Sequence, residues 1–448
     1  MFLQLDRSHF SAPGEKLECF ITWSVIISII ISCVALTLII PYYGLKSLLV
    51  LSGVGCLFLL TRYPEIALGS LMVIGTFKGA PQLDNVPIDL TILLLLVLAL
   101  SMWLEFWRGC AIAPPKEFIF YAPIVLMMLF SLIYTPNLDD GIEKAARFCI
   151  ICGMAIIGPF IVLTDSGKLK RFFLTLLVAG LVASLLSIHM LGGRERLTTP
   201  GGDTIQLGHL TAVGIAVVWF GLMPGQRLII RALLYACIGL LAVAMIGSGS
   251  RGPIVGLGAA FLISVWQRRR VGFTVAQLIF DFGALILAGV LLLPFVPFPA
   301  ESLNYLARLA SVENSGAFLG PRAGLMQLGW RLMLEHPLQG VGIGGFPVLY
   351  RGVGNWPHNI PLEIGSELGL LAALSFCCFL FLSVMTAFRE FVTTSEGSRT
   401  NRNLMFCFIV IVTISMLNTG NLNDNRQLWT ALSLPYLFRA SRLEEAPS

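Results

Sequence analysis

Arg251 interrupts two strongly apolar parts of this sequence. It lies in the small-residue stretch Gly247–Pro253, and the residues on either side are mostly Leu, Ile, Val and Ala. A charge near hydrocarbon costs about 2.5–3.5 kcal/mol at a helix centre and less near a helix end, so such residues usually have a function. Anion binding suits an arginine, because its planar guanidinium matches phosphate or carboxylate oxygens.

Two other candidates follow in the second half of the chain. Pro321 can open a helix that runs to His336, with Arg322 in its first turn. Further on, His358 precedes Asn359, a favourable N-cap residue, which predicts the imidazole at the positive end of a helix. That position lowers the pKa of a histidine and attracts anions, and a neutral imidazole can accept a proton.

Plainer roles fit the same side chains. Arg251 could extend to the membrane interface, and Arg322 could be solvated on a surface helix. A single histidine in a loop, such as His358, is more often inert than catalytic. Glu363 and Glu367 lie four residues apart, so they share one helix face, where they could orient His358. Alternatively, Glu363 only offsets the helix dipole.

The composition indicates which elements position these residues. The chain has 448 residues, of which 56% are hydrophobic and 12% charged, whereas a soluble domain averages about 25% charged residues. Apolar runs of about 20 residues recur, which predicts an all-α, polytopic membrane protein with about 12–14 transmembrane helices. The predicted spans lie near residues 21–40, 44–61, 65–78, 88–107, 119–134, 146–164, 171–191, 205–222, 229–247, 252–266, 273–297, 364–388, 402–418 and 427–438.

The positions of Lys and Arg predict the orientation. If both termini are cytoplasmic and the spans alternate, most basic residues lie on the inner side, as the positive-inside rule requires. Arg251, Arg322 and His358 then share the outer side. Arg194 and Arg196 lie there too. They form either an ion-pair patch or a contact to a bound substrate. The scattered basic residues do not indicate nucleic-acid binding.

One long outer segment divides the chain into three predicted parts. These are a transmembrane bundle over residues 1–297, a loop with helices over residues 298–363, and transmembrane helices with a cytoplasmic tail over residues 364–448.

The loop contains two patterns of its own. Leu325, Leu328 and Leu332 form an apolar stripe, widened by Met326, Trp330 and Met333, which predicts a helix along the membrane surface or over the bundle. The string from Gly340 to Gly345 matches a dinucleotide-binding pattern. However, no strand precedes it, so we expect a turn whose backbone approaches a ligand or a neighbouring helix.

Several short motifs occur in an order that resembles the O-antigen ligase superfamily, which contains O-antigen ligases, O-antigen polymerases and exopolysaccharide polymerases. The motifs cover about residues 190–390, and the hydropathy pattern covers the whole chain. They are Ser250-Arg251-Gly252, Arg322 with Trp330, Glu335-His336-Pro337-Leu338-Gln339-Gly340-Val341-Gly342 with Phe346, His358-Asn359 with Leu362-Glu363, and Glu367-Leu368-Gly369.

The resemblance implies a metal-independent, inverting glycosyltransferase of the bacterial inner membrane, with no cofactor and a site that faces the periplasm. The donor would be an oligosaccharide on undecaprenyl diphosphate, the acceptor a glycan or the lipid A core, and membrane lipids would surround the protein. By motif, Arg251 and Arg322 would bind the diphosphate and His358 would deprotonate the acceptor hydroxyl. The expected substrate-binding residues are Arg194, Arg196, Ser250, Asn359 and Glu363.

Alternatives stay open at this stage. The segments 197–208 and 248–253 resemble the polymerase branch of the superfamily more than the ligase branch. A polymerase extends a lipid-linked glycan, whereas a ligase transfers the glycan to a lipid A core. A third possibility is a transporter of lipid-linked glycans. A carrier needs polar groups near the bilayer midplane, where this sequence is almost wholly apolar.

Overall fold

The protein is a bundle of α-helices. A computed structural model describes residues 55, 57–78, 89–109, 111–190, 196–223, 226–269, 315–349, 356–393, 399–419 and 421–439. In these ranges all regular elements are helical. The α-helices are α1 Pro64–Phe77, α2 Leu90–Trp107, α3 Ala122–Ser131, α4 Leu138–Arg147, α5 Gly153–Val162, α6 Ser166–His189, α7 Thr204–Ala216, α8 Leu228–Ser248, α9 Arg251–Arg269, α10 Ser315–Glu335, α11 Phe346–Leu349, α12 Ile360–Leu368, α13 Leu370–Thr393, α14 Arg399–Thr419 and α15 Arg426–Arg439.

Three short helical segments supplement these elements. A 3-10 turn precedes α3 at Lys116–Phe120. A π-helical segment at Phe148–Cys152 joins α4 to α5, so that one apolar helix runs over Leu138–Val162. A second π-helical segment, Val217–Leu222, extends α7. Such π segments are rare and often mark functional regions.

Among the described residues, six helices are long and apolar enough to cross a membrane. The predicted all-α membrane fold is therefore confirmed. The six are Leu90–Trp107, Leu138–Val162, Ser166–His189, Thr204–Leu222, Leu228–Ser248 and Leu370–Thr393. Shorter apolar helices occur at Pro64–Phe77, Arg251–Ser264 and Thr400–Ser415.

Two predicted spans differ in the structure. The span at 119–134 contains only a ten-residue α-helix, α3, after the 3-10 turn. The span at 364–388 is divided at Gly369, whose φ of 86° lies in the region that favours glycine and ends α12. The hydropathy pattern merges α12 with α13 because both are apolar. The predicted spans at 21–40 and 273–297, and most of 44–61, lie outside the described residues.

Ion pairs gather at the two ends of the bundle. At the end predicted to face inward, Glu105 contacts both Lys168 and Arg108, and similar pairs join Glu65 to Arg171, Glu117 to Arg439 and Glu390 to Arg402. At the other end the pairs join Lys78 to Asp89, Arg147 to Glu143, and Lys144 to Glu363 and Glu367. Each of these pairs joins residues that the predicted topology places on the same side. Which end faces the cytoplasm remains a prediction.

The core surrounds α14 and α15. Every residue of α15 from Leu428 to Phe438 is buried, and the fully buried Trp429 contacts the rings of Tyr121, Phe148 and Phe376. By contrast, α2 exposes large apolar side chains along its length, Ile92, Leu96, Leu100 and Trp103. A helix that is apolar all round belongs in the interior, and one with an exposed apolar face suits contact with lipid.

Glycines bring α9 and α14 close together. A Cβ atom at Gly256 would lie 2.9 Å from the carbonyl oxygen of Ile411 and 3.0 Å from its Cα. One turn earlier, a Cβ at Gly252 would lie 3.3 Å from the Cα of Ser415. Gly252 and Gly256 thus form a small-xxx-small contact of the kind that lets membrane helices approach closely.

We expect Gly256→Ala to destabilise the protein by about 1–3 kcal/mol, because the new methyl group forces the two backbones apart. The matched control is Gly258→Ala, since no atom lies within 4 Å of a Cβ at that position. Thermal unfolding in detergent measures both variants. Equal midpoints for the two would contradict the close contact.

The amphipathic helix of the loop is longer than predicted. It is α10, which begins at Ser315 rather than at Pro321, so Arg322 lies in its second or third turn rather than its first. A proline is tolerated best in the first turn of a helix, where the backbone amides are unpaired, so Pro321 was expected to mark the start of α10. This rule does not predict that the residues before Pro321 are helical too.

The apolar stripe of α10 is confirmed. Leu325 and Leu332 are buried against Phe346, with Leu328 packed on the same cluster. Met333 is also buried, whereas Trp330 is 54% exposed and so lies off the packed face.

Candidate functional site

Arg251 is the first residue of α9, at a sharp turn between two helices. Gly249 ends α8 with a left-handed φ of 70°, a conformation that glycine adopts readily. Ser250 is buried, and its hydroxyl donates to the carbonyl of Thr204 over 2.9 Å. The small-residue break in the sequence is therefore a helix turn, and it fixes Arg251 at the helix end. Ser250 supports the turn, whereas a contact between Ser250 and substrate remains a prediction.

Arg196 lies beside this turn. The neighbouring Leu197 donates its amide hydrogen to the carbonyl of Gly247 over 3.0 Å. The segment then reaches Asp203, whose carboxylate caps α7 by accepting from Ile205 N at 2.7 Å. Arg196 is exposed at the start of this segment. Arg194, the other predicted acceptor contact, lies outside the described residues.

The end of α14 connects the Arg251 turn to the His358 loop. Gly252 packs on Ser415, as described above. Two residues further along α14, the carbonyl of Leu417 accepts a hydrogen bond from Asn359 Nδ2 over 3.0 Å. The turn of Arg251 and the loop of His358 therefore meet the same last turns of one helix.

Asn359 is the N-cap of α12, as predicted. Its Oδ1 accepts from the amide of Leu362 over 3.0 Å, and Pro361 occupies the first turn. Its side chain thus makes one bond to α12 and one to α14. The position of the cap is confirmed, whereas a contact with substrate remains a prediction.

His358 has a strained backbone in this loop. Among the described residues it is the one non-glycine residue with a positive φ, 56°, a conformation that costs roughly 1–2 kcal/mol. Strain of this kind persists where surrounding contacts impose it, and it clusters at functional sites. Here the imposing contacts include the two hydrogen bonds of Asn359.

The imidazole of His358 is half-buried, and its protonation is affected by a nearby positive charge. Burial, and then the charge of Arg322, lower its pKa to about 4. The ring is therefore neutral near pH 7. Its Nδ1 accepts a hydrogen bond from the indole Nε1 of Trp356 over 3.1 Å. The sequence-based reasoning predicted a lowered pKa from the helix end, but it did not predict the contributions of burial, Arg322 or Trp356.

Arg322 approaches His358 from α10. A Cβ at Gly329 would lie 3.1 Å from Pro357, so that α10 packs directly on the loop. Arg322 is seven residues before Gly329, which places both on one face of α10 about 10 Å apart along the helix axis. This geometry agrees with the influence of Arg322 on the pKa of His358.

Glu363 and Glu367 have a different partner from the one expected. Both are 1% exposed and both bind Lys144, at 2.5 Å and 2.7 Å. Glu363 also accepts from the amide of Leu422 at 2.9 Å, and Glu367 from that of Gly344 at 3.2 Å. The structure thus commits these carboxylates to Lys144 and to backbone amides, whereas Nδ1 of His358 is held by Trp356.

Lys144 was not among the residues singled out from the sequence. It lies in α4, more than 200 residues before its partners. An indirect indication existed, because two carboxylates on one face of an apolar helix need a nearby cation. Several lysines could have supplied that cation, and the sequence does not distinguish among them.

The glycine string at 340–345 packs on a helix, one of the two expected possibilities. The amides of Val341 and Gly342 donate to the carbonyls of Ser366 and Glu367, each over 2.9 Å. These carbonyls lie at the end of α12, so the turn caps that helix. A Cβ at Gly340 would lie 2.3 Å from the backbone carbon of Glu367, which excludes larger side chains there.

The arrangement brings two basic segments toward a neutral imidazole. The turn that begins α9 at Arg251 and the loop that carries His358 both pack on the last turns of α14, and the charge of Arg322 acts on His358. Guanidinium groups neutralise phosphate charge bidentately, and a neutral imidazole adds one hydrogen-bonding nitrogen that Trp356 does not occupy.

Comparison with known proteins gives one family. The O-antigen ligase family matches residues 236–377, which include Arg251, Arg322, His358 and Glu363. The search of curated proteins gives no significant match. The matched segment covers less than half of the chain, but it contains most of the motifs that indicated the superfamily. The resemblance is therefore confirmed, and residues 236–377 carry the sequence pattern of the O-antigen ligase family.

Proposed function

We propose that this membrane protein is a glycosyltransferase that moves a glycan from undecaprenyl diphosphate to a sugar hydroxyl at the periplasmic face. The family match supports a ligase-like or polymerase-like role. The proposal includes undecaprenyl diphosphate as the carrier of the donor glycan, inversion of the anomeric centre without a metal, and a site at the periplasmic face. The observation that carries it is the meeting of the Arg251 turn and the His358 loop at the end of α14, with Arg322 close enough to shift the pKa of His358.

The proposed reaction is a single displacement. The acceptor oxygen bonds to the anomeric carbon while the bond from that carbon to the diphosphate oxygen breaks. The electron pair of that bond passes to the leaving lipid diphosphate, and the acceptor hydroxyl releases its proton. Arg251 and Arg322 would neutralise the charge that develops there, which is where fixed positive groups lower a barrier most. Attack opposite the leaving group inverts the anomeric centre.

The acceptor distinguishes a polymerase from a ligase. We favour a polymerase, because segments 197–208 and 248–253 resemble the polymerase branch of the superfamily. In the structure the first of these segments lies beside the Arg251 turn, through the bond from Leu197 to Gly247. That position suits contact with an acceptor.

Purified protein tests this proposal when a labelled glycan on undecaprenyl diphosphate is supplied with two acceptors in parallel. One acceptor is a second lipid-linked repeat and the other is lipid A core. We expect label in longer lipid-linked glycans. Label in the lipid A core would make the protein a ligase, and no transfer to either acceptor would contradict the proposed activity.

A further inference from the structure

Trp356 determines which nitrogen of His358 carries hydrogen. An indole N–H can only donate, so the Trp356 Nε1 to His358 Nδ1 bond, 3.1 Å long, requires a lone pair on Nδ1. A neutral imidazole has one hydrogen, and with Nδ1 as the acceptor that hydrogen lies on Nε2.

The surroundings keep this form in place. A second proton on the ring would break the Trp356 bond and add a positive charge near Arg322. The backbone of the loop is fixed by Asn359, which binds both α12 and α14. His358 therefore presents a neutral N–H group within the electrostatic influence of the Arg322 guanidinium, and both groups are hydrogen-bond donors.

We propose that His358 donates from Nε2 to a diphosphate oxygen of the lipid-linked donor, with Trp356 as the positioning residue that fixes this tautomer. This inference rests on the proposed function, and it replaces the role of base that the family resemblance implies for His358. A base needs a free lone pair, and the only lone pair on this ring is held by Trp356. The electron pair of the breaking bond then passes to an oxygen that accepts from Nε2, and the acceptor proton passes to solvent water.

Substitutions at position 358 separate a donor from a base. Glutamine can place an amide N–H near the position of Nε2, whereas asparagine reaches only the position of Nδ1. Neither amide is a base near neutral pH. We expect His358→Gln to retain transfer within about tenfold of wild type, and His358→Asn and His358→Ala to lose about 10²–10³-fold, the effect of removing one preorganised donor.

The Trp356→Phe variant provides an independent test, because the expected change in rate differs between His358 as a hydrogen-bond donor and His358 as a base. It removes the N–H but keeps an aromatic ring. Loss of one hydrogen bond that fixes the tautomer should lower kcat by about 3–10-fold with little change in KM for the donor. If His358 were a base, freeing Nδ1 would leave the rate unchanged or raise it.

The double variant Trp356→Phe/His358→Gln completes a double-mutant cycle, which measures whether the two residues act through each other. Glutamine has no tautomer to fix, so we expect Trp356→Phe to have no further effect in this background. His358→Gln as inactive as His358→Ala, together with Trp356→Phe at or above the wild-type rate, would overturn the donor role. Size-exclusion profiles matching wild type exclude misfolding as the cause of a loss. An inactive wild type would contradict the proposed function itself, and the two failures are therefore distinguishable.

Discussion

The Arg251→Ala variant is expected to transfer glycan about 10²–10³-fold more slowly than wild type, because the leaving diphosphate loses a fixed positive group. Arg251 begins α9 at a turn that Gly249 and Ser250 define, so its backbone is fixed at the end of the bundle. Turnover of a lipid-linked donor by purified protein measures the effect.

Arg251→Lys tests whether the planar fork matters as well as the charge. A lysine supplies a point charge without bidentate geometry, and we expect its rate to stay at least about tenfold below wild type. The matched control is Arg331→Lys, because Arg331 is 70% exposed and paired with Glu335 on the same helix, α10. Near-normal turnover of Arg251→Lys would limit Arg251 to a purely electrostatic role, and normal turnover of Arg251→Ala would remove it from the site.

Lys144→Met is expected to destabilise the protein by about 3–5 kcal/mol, the cost of leaving buried charges without their partner. Lys144 binds two carboxylates that are each 1% exposed, and it joins α4 to α12. Its own carbonyl accepts from Asn423 over 3.2 Å, which attaches the loop before α15 to the same point. Thermal unfolding in detergent, or the yield of folded protein, measures the loss.

A neighbouring ion pair serves as the control. Arg147 pairs with Glu143 in the same helix, but both side chains are more than half exposed, so Arg147→Ala should cost about 0–1 kcal/mol. Adding Glu363→Gln and Glu367→Gln to Lys144→Met should recover part of the stability, because the unpaired charges are then removed. A Lys144→Met protein with an unchanged midpoint would show that this cluster does not hold the loop region together.

The two predictions concern different properties of one region. The Lys144 cluster attaches α12, which begins two residues after His358, to α4. Asn359 attaches the same helix start to α14. Loss of Lys144 is therefore expected to lower stability first and activity as a consequence, whereas loss of Arg251 is expected to lower activity in a folded protein.

The sequence alone determined the class of fold, the order of most apolar helices and the residues that could carry chemistry. Hydropathy is sufficient for this because a bilayer requires long apolar helices with internally bonded backbones. The N-cap at Asn359 and the stripe of α10 were equally predictable, since capping and amphipathic periodicity are local properties.

Only the tertiary structure decided which of these residues meet. Packing sets Lys144 as the partner of Glu363 and Glu367, and it sets the contact of α9 with α14. Side chains that are far apart in sequence have no local pattern that identifies their partners, and burial, which sets the charge of His358, is a property of the whole bundle. The chemistry available at His358 therefore depends on neighbours that the linear order of residues does not reveal.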